Sequence, residues 1–495
     1  MKFSILAAFA IFLPASIYAG RTFEYKQLDF DYAFDEDIDE ARSLIMMIPD
    51  GTGPNIFTLA RTVLDPSLKT RLHIDPLLMG QVQTHSSTSY ITDSASSATA
   101  YSTGFKTYDK GIGVDHFQQP LGTILEAAKK RGMVTGMVVT SRVTHATPAA
   151  FASHVVERDD EASIAKQYVA NKNLDFLLGG GGKFFNESMY SELKGAGYSI
   201  VKNYGELLDY KNANEASGKL RVFGIFHNSH MSYELDRARE EAAAGQGKTD
   251  REPSLPEMVD TILSILKNNP TAKKNGFFMM IEGSRVDHAG HSNDPGTMAR
   301  EAITFDETVG VVKDFVGNTK NVGLISVADH GTGGLTLGAG TLYEWHPQAL
   351  QAQKMSTEWM YNKLTTSLKA CKDAAACKTE LFDMSKDLLK TYTNAEIATA
   401  VDKTKDLNNV MIELGHLISL PALIGWTTIG HVGTDVDLHC MGPSVLERMC
   451  KGLHENTYIN KIMTNYLNLG HRQQAETLRL RNFTTLEYSP EKAHH

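Results

Sequence analysis

Five short apolar runs recur along this 495-residue chain, and most of them lead directly into glycine, an acidic residue or histidine. The runs are Ser43–Ile48, Met133–Thr140, Leu174–Leu178, Gly276–Ile281 and Val322–Val327. Runs of four to eight apolar residues that alternate with helical patterns are typical of a parallel sheet with helices on both faces. We therefore expect an α/β fold with a doubly wound, mostly parallel central sheet.

The ends of these runs carry side chains that are suited to chemistry. Asp50 follows the first run, Glu282 follows the fourth, and Asp329 and His330 follow the fifth. In doubly wound sheets the active site lies at the carboxyl ends of the strands. We therefore expect these side chains to meet at one edge of the sheet, although a lone Asp before Gly is commonly only a turn former.

The bulk composition indicates a globular protein and argues against a nucleic-acid binder. Hydrophobic residues make up 42% of the chain and charged residues 22%, so a sizeable core can form. The formal net charge is −9, which argues against a general nucleic-acid binder, because such a protein needs a basic face.

The N-terminus has the pattern of a secretory signal peptide. Lys2 precedes an apolar stretch, and residues 1–19 end in Ile-Tyr-Ala, a tolerable cleavage site. An uncleaved anchor is the alternative. The C-terminus has no hydrophobic tail, so we expect no stable membrane anchor. The expected location is secreted or another secretory compartment, which would be the periplasm in a bacterial host.

The rest of the chain divides by composition. Residues 20–41 form a polar, acidic arm, and residues 42–490 are expected to form one catalytic domain. An insertion is expected at about 344–419, where several amphipathic helical stretches occur. The segment 202–246 is polar, and we expect it to lie on the surface.

Four cysteines occur late in the chain, at positions 371, 377, 440 and 450. In an oxidising compartment they could form two disulfides, and loop closure favours the local pairs Cys371–Cys377 and Cys440–Cys450. Free buried thiols are the alternative. Asn186 and Asn482 begin glycosylation sequons, which predict a glycoprotein in a eukaryotic host.

Ser94 is the candidate nucleophile. It follows Thr92 and Asp93 and opens a run of small residues, where it could be an ordinary residue of a helix start. The free N–H groups at such a start also favour an anion.

Acids and histidines elsewhere could supply metal ligands. Two zinc sets contain nitrogen and oxygen donors and no thiolate, as expected for open catalytic sites. A third set consists mostly of oxygen donors, which favour magnesium. The first zinc set is Asp287, His291 and His431; the second is Asp50, Ser94, Asp329 and His330; the third is Asp50, His145, Thr147 and Glu282.

Taken together, these motifs resemble the alkaline phosphatase family. They follow the family's order over about residues 42–440: Asp50-Gly51, Thr92-Asp93-Ser94-Ala95, Thr144-His145-Ala146-Thr147-Pro148-Ala149, Glu282-Gly283, Asp287-His288-Ala289-Gly290-His291, Ala328-Asp329-His330 and Gly430-His431. The resemblance implies two zinc ions and one magnesium ion per chain in the three sets above. It also implies hydrolysis of small phosphate monoesters through a phosphoserine on Ser94, an alkaline pH optimum and a homodimer.

The resemblance further implies that Arg158, thirteen residues after His145, binds the substrate phosphate. Without it, Arg158 would be one residue of a mixed charge run on a solvated face. Asp93 is expected to orient Arg158 or the Ser94 backbone and so to contribute to substrate binding. A simple N-cap role is the alternative for Asp93.

Some positions depart from the family pattern. Gly331 stands where the family often has Glu, which predicts altered loop flexibility, and Pro49 restricts the backbone before Asp50. His145 and His288 replace the Asp and Lys of some bacterial members. A nitrogen ligand at position 145 leaves zinc or cobalt as alternatives to magnesium at the third site.

Two other functions stay open. A phosphodiesterase or sulfatase of the same superfamily would share the metal ligands, although such enzymes generally lack the third site, and no Cys/Ser-x-Pro-x-Arg sulfatase motif follows Ser94. A secreted metal- or phosphate-binding protein without turnover is the other alternative, and the serine nucleophile argues against it.

Overall fold

A ten-stranded sheet organises the chain in the computed structural model, which describes residues 40–245, 247–370 and 410–470. The strands are β1 Ser43–Ile48, β2 Leu78–Gln83, β3 Val134–Arg142, β4 Phe176–Gly180, β5 Ser199–Val201, β6 Val222–Ile225, β7 Phe277–Glu282, β8 Val322–Val327, β9 Gly331–Thr332, β10 Thr336–Leu337, β11 Ile424–Gly425, β12 His431–Val432, β13 Val436–Met441 and β14 Gly452–Glu455.

The order of strands in the main sheet is β14-β2-β13-β8-β1-β7-β3-β4-β6-β5. Its strand pairs are parallel, except that β13 runs antiparallel to both β2 and β8. The short strands form two separate antiparallel pairs, β9 with β12 and β10 with β11.

Helices cover the sheet. Those described are α1 Pro54–Leu64, α2 Ser94–Thr103, α3 Ile124–Lys130, α4 Ala146–Ala152, α5 Glu161–Asn171, α6 Glu187–Gly195, α7 Tyr204–Asn214, α8 Glu234–Ala244, α9 Leu255–Leu266, α10 Pro270–Asn275, α11 Arg285–His291, α12 Pro295–Gly317, α13 Gln348–Gln351, α14 Thr357–Ala370, α15 Val410–Ala422, α16 Ser444–Met449 and α17 Asn456–Tyr466. Short 3-10 turns span Asp75–Leu77 and Gly182–Phe184.

The two faces of the sheet pack against different helices. Met279 of β7 belongs to one core cluster with buried residues of α1, α9 and α12. Phe278, the preceding residue, stacks on Phe151 of α4 with ring centroids 6.1 Å apart. Successive strand residues point to opposite faces, so helices lie on both sides. The prediction of a doubly wound, mostly parallel α/β fold is confirmed.

One expectation about the chain is wrong. The segment 202–246 was expected to be surface, but its residues Val222–Ile225 form β6, a fully buried strand between β4 and β5. A strand of four residues suffices at this place because both neighbouring strands satisfy its backbone groups. The polar residues before and after β6 form α7 and α8. Because they dominate the composition of the segment, the short apolar run was not recognised as a strand.

A disulfide joins Cys440 of β13 to Cys450, directly after α16, as local pairing predicts. Residues 371 and 377 lie outside the described residues, as do residues 1–39, most of the expected insertion and Asn482. In the part of the chain that is described, residues from Ala41 onward form one compact unit. No helix among the described residues has both the length and the apolar character needed to cross a membrane.

Candidate active site

Three adjacent central strands deliver acidic residues to one edge of the sheet. In the order β8-β1-β7, Asp329 and His330 follow β8, Asp50 follows β1, and Glu282 is the last residue of β7. All four side chains are fully buried. The parallel register makes the carboxyl ends of these strands neighbours, so the sequence-predicted acids meet although they are far apart along the chain.

Ser94 lies against this acidic edge as the first residue of α2. Its Oγ is 3.1 Å from Nε2 of His330. The same Nε2 is 3.2 Å from Asp329 Oδ2 and 3.8 Å from Asp50 Oδ1. The set predicted for the second zinc ion is therefore brought together around one imidazole nitrogen.

The set predicted for the first zinc ion also converges. Nε2 of His291 is 3.3 Å from Oδ2 of Asp287, one helical turn earlier in α11. His431, on β12, places its Nε2 3.2 Å from Nε2 of His291 and 3.6 Å from Oδ1 of Asp287. The strand β12 pairs with β9, and β9 directly follows His330 in the chain. This pairing positions His431 next to the other residues of the set.

Ligand atoms of three groups lie within 4.8 Å of one another, a separation that one ion can bridge. The groups are Asp50, Asp329 and His330; Asp50, His145 and Glu282; and Asp287, His330 and His431. The last group contains His330 where the sequence predicts His291, because the two sets adjoin and the rings of His330 and His431 stack at 3.5 Å.

The donor chemistry fits bound cations. Several buried atoms of these residues have no hydrogen-bond partner among the residues that the structure describes, an arrangement that is costly unless something else binds them. They are both carboxylate oxygens of Asp50, Nδ1 of His145, Oγ1 of Thr147, Oε1 of Glu282 and Oδ2 of Asp329. Unpaired oxygen and imidazole donors that face one another are the environment that divalent metals occupy in proteins.

Burial and mutual repulsion raise the pKa values of three of the acids, whereas neighbouring histidines lower the pKa of a fourth. Burial, together with the charge of Asp329, raises the pKa of Asp50 well above its usual range. Burial also raises the pKa of Glu282 to about 7 and that of Asp329 to about 6. Burial opposes ionisation of Asp287 too, but His291 and His431 hold its pKa well below the usual range. Asp287 in turn raises the pKa of His291 to about 9.

Arg158 lies in the site, with its side chain 17% exposed. One guanidinium nitrogen donates to Asp93 Oδ2 at 3.0 Å, and the other is 3.1 Å from Nε2 of His145. Asp93 also accepts from the backbone N–H of Ser96 as the N-cap of α2. Although burial opposes it, the charge of Arg158 keeps the pKa of Asp93 below its usual value. Asp93 therefore makes both the contact with Arg158 and the N-cap contact that the sequence analysis considered.

These side chains border a cavity of about 390 Å³. Its lining residues are Ser94, Arg142, His145, Arg158, Asp159, Glu161, Asp287, His288, His291 and His431. The cavity thus brings a hydroxyl, a guanidinium and several imidazoles together in a space that can hold a small anionic group.

Sequence reasoning missed several residues here. Arg142 pairs with Glu161 at 2.7 Å, and Oγ1 of Thr144 donates to the same carboxylate. His230, from the segment expected to be surface, packs its ring 4.2 Å from that of His288 and 5.3 Å from that of His145. Glu161 lies three residues after Arg158 in one charge run, which was the available signal; nothing local pointed to His230.

The backbone around Asp50 explains two residues of its motif. Gly51 has φ +71°, and a Cβ there would lie 2.7 Å from Cα of Asp287. Only glycine allows this approach. The carbonyl of Pro49 accepts from Thr52 N–H at 3.2 Å in a turn, a contact that does not require the N–H that proline lacks. Gly331 is buried and pairs with Val432 across β9 and β12.

The fold and site define a doubly wound α/β protein whose central strands end in a buried cluster of potential metal ligands next to a serine. The sequence model described as "Alkaline phosphatase" matches residues 41–469. The chain belongs to the alkaline phosphatase family and is an enzyme of that class, a phosphomonoester hydrolase.

Similar proteins cover most of the chain. The repressible alkaline phosphatase of Saccharomyces cerevisiae is 34% identical over 486 residues, which span 88% of this chain and 83% of that protein. The cold-active alkaline phosphatase of Shewanella sp. is 30% identical with a TM-score of 0.73, covering 86% of this chain and 99% of that structure. The alkaline phosphatase of Thermus thermophilus is 28% identical with a TM-score of 0.74, covering 89% of this chain and 96% of that structure.

Proposed function

We propose that this enzyme hydrolyses phosphate monoesters to an alcohol and inorganic phosphate through a phosphoserine on Ser94. Two zinc ions and one magnesium ion assist the reaction, and its pH optimum is alkaline. The observation that carries the proposal is the position of Ser94, which borders the same cavity as Arg158 and contacts His330 at 3.1 Å.

Three sets of residues would hold the ions. The first zinc set is Asp287, His291 and His431; the second is Asp50, Ser94, Asp329 and His330; the magnesium set is Asp50, His145, Thr147 and Glu282. The unpaired buried oxygens of the last two sets support this assignment. When bound, the zinc ions supply Lewis acidity, which lowers the pKa of the Ser94 hydroxyl and stabilises charge on the phosphoryl oxygens. Zinc or cobalt at the third site stays an alternative, since His145 offers nitrogen.

The residues of the chain orient and attack the phosphoryl group. Oγ of Ser94 loses its proton and forms a bond to phosphorus while the bond to the alcohol oxygen breaks and that oxygen takes up a proton. Water then attacks phosphorus, the bond to Oγ breaks, and the Ser94 hydroxyl is restored with release of inorganic phosphate. Arg158 binds two phosphate oxygens, and its contact with Asp93 restrains the guanidinium beside the cavity. The free N–H groups at the start of α2 also favour the anion.

The third metal set supports monoesters over diesters. Thr147 and Glu282 lie at the edge of the sheet with buried atoms that need a partner, and diesterases of the superfamily generally lack this set. We further propose that the enzyme is located in a secretory compartment, because of the signal-like sequence at the N-terminus; the Cys440–Cys450 disulfide is consistent with this location. A homodimer without a stable membrane anchor belongs to the same proposal.

Replacing the nucleophile tests the mechanism. Ser94→Ala should lower kcat for an aryl phosphate by at least about 10³-fold while the content of the three metals stays largely intact, because only one of four second-site ligands is lost. Ser191→Ala, at an exposed serine of α6, is the control and should retain wild-type turnover. Substantial turnover by Ser94→Ala contradicts the phosphoserine.

The same preparations separate the alternatives. A diester hydrolysed as fast as a monoester would support a phosphodiesterase, and metal and phosphate binding without any turnover would support a binding protein. Activity retained after chelator treatment contradicts the role of the metals. A pH–rate profile that peaks below neutrality contradicts the alkaline optimum.

A further inference from the structure

His288 is a cavity-lining residue that the proposed mechanism does not use. It lies on α11 and borders the same cavity as Ser94 and Arg158. Its Nδ1 is 3.0 Å from Nη1 of the buried Arg285. The question is what this contact does to the imidazole.

Arg285 is held in place from several sides. Its side chain is 3% exposed, and its Nη2 donates to both carboxylate oxygens of Glu358, at 2.8 and 2.9 Å. The guanidinium carbon lies 3.7 Å from the ring centroid of Tyr233. Stacking and a two-oxygen ion pair together leave the guanidinium few other orientations.

The contact with Arg285 determines which nitrogen of His288 accepts. A guanidinium has donors and no acceptor, so Nδ1 of His288 must offer its lone pair. The ring proton is then on Nε2. Among the described residues none hydrogen-bonds to this Nε2. His288 therefore has a fixed ring orientation and a free N–H beside the cavity.

We propose that Glu358 and Arg285 are positioning residues that hold His288 as an Nε2–H donor toward the phosphate group in the cavity. The inference rests on the proposed function, because it takes that anion as the occupant. Glu358 belongs to α14, within the region that the sequence predicted as an insertion. This helix then contributes to the site without itself bordering the cavity.

The chain of contacts from Glu358 through Arg285 to His288 is called the relay below. The charges around these residues are consistent with the proposed arrangement. Glu358 neutralises a guanidinium that burial would otherwise penalise. Its own side chain is 41% exposed, so replacing it leaves the core packing intact. Removal of the Glu358 charge should release Arg285 from its fixed position and with it the orientation of His288.

A double-mutant cycle in the metal-loaded enzyme tests the relay, with the dissociation constant of inorganic phosphate, measured by isothermal titration calorimetry, as the readout. Glu358→Gln should raise this constant about 3- to 10-fold, as expected when one charge-assisted hydrogen bond to the anion is weakened. In a His288→Ala background the same substitution should have no further effect. Equal effects in both backgrounds would overturn the proposal, because Glu358 would then act independently of His288.

Glu192→Gln is the matched control. Glu192 forms an exposed ion pair with Lys172 at 2.7 Å and should leave the phosphate constant unchanged. Arg285→Lys keeps the charge but not the fork of donors, and it should behave like Glu358→Gln if the protein folds. Phosphate binding is measured independently of turnover, so failure of the relay is distinguishable from failure of the Ser94 mechanism.

A spectroscopic measurement reads the tautomer directly. In protein labelled with ¹⁵N-histidine, the His288 resonances, assigned by their loss in His288→Gln, should show an unprotonated Nδ1 and a protonated Nε2. Glu358→Gln should shift this pattern toward a mixture of tautomers. A protonated Nδ1 in the wild-type enzyme would overturn the proposal.

Discussion

Arg158 and Asp93 show how one ion pair shapes the candidate site at the scale of single residues. The two side chains are equally exposed, at 17%, and meet at 3.0 Å. Asp93 is at the same time the N-cap of α2, so the helix that starts with Ser94 and the guanidinium share one carboxylate. The pair fixes the position of both groups relative to each other.

Arg158→Lys tests the need for a guanidinium. A lysine keeps the charge but cannot bind two phosphate oxygens in a fork, so KM for an aryl phosphate and the phosphate inhibition constant should rise about 10- to 100-fold. Steady-state kinetics measure both. Arg61→Lys, which alters a remote ion pair with Asp75, is the control and should change neither. A wild-type KM in Arg158→Lys would contradict the proposed role.

Residue-scale prediction from the sequence depended on spacing. Arg158 and Asp93 were predicted because they lie at fixed distances from other motif residues along the chain. Arg142, His230 and Arg285 were not, because each has a partner from another element, Glu358 in the case of Arg285, and no local pattern marks them. Contacts of this kind exist only after the sheet and its helices have assembled.

At the scale of elements, the turn after β1 governs how closely the strand approaches α11. Gly51 has a positive φ, and its backbone N–H donates to Asp329 Oδ1 at 3.0 Å. A side chain at this position would collide with Asp287 and with Oγ1 of Thr332. The turn therefore lets two ligand-bearing elements meet and orients the carboxylate of a third.

Gly51→Ala should separate these elements. The strained φ and the collision with Asp287 should lower the free energy of unfolding by more than about 1 kcal/mol and reduce zinc content. Thermal unfolding and metal analysis measure the two effects. Gly195→Ala, at the end of α6 with no atom near the added Cβ, should leave both properties unchanged or slightly improved. Unaltered metal content in Gly51→Ala would contradict the assigned role of this turn.

At the scale of the whole molecule, the sheet brings together three buried acids, and the surrounding protein alone does not favour their ionised forms. Asp50, Glu282 and Asp329 are fully buried within one cluster, and the pKa of each is raised. Without metal, the folded state therefore keeps protons that the unfolded chain releases. Bound cations must displace these protons, so metal binding and folding are linked through pH.

The linkage gives a prediction for the metal-free protein. Glu282, with a pKa of about 7, and Asp329, with a pKa of about 6, bind more protons folded than unfolded, so their contribution to stability is full below about pH 4 and should fall as the pH rises to 7. Burial lowers the pKa values of His145, His230, His288 and His330, which act in the opposite direction over this range. The contribution of Glu282 is therefore isolated as the free energy of unfolding of the wild type minus that of Glu282→Gln. The slope is up to about 1.4 kcal/mol per pH unit for each proton. Thermal unfolding of chelated and metal-loaded protein measures it, and the loaded form should lack this fall. A wild-type minus Glu282→Gln difference that increases from pH 5 to 7 in the metal-free protein would contradict the linkage.

The amino-acid sequence by itself determined the fold class and the identity of the ligand-type residues. Runs of apolar residues are a local feature of the sequence, so β1, β7 and β8 could be predicted from it. The residues that follow or end these strands indicated the edge of the sheet at which the site lies. The short buried strand β6 could not be read, because its pairing partners, rather than its own composition, stabilise it. Only the tertiary structure decided which groups face one another.

The same difference holds within the cavity. Motif spacing indicated Ser94 and its candidate ligands, but not that Glu358, on a helix expected to be an insertion, reaches His288 through Arg285. Orientation, tautomer and burial arise from contacts between elements far apart in the chain. The free energies of those contacts exist only in the folded protein, and no stretch of sequence carries them alone.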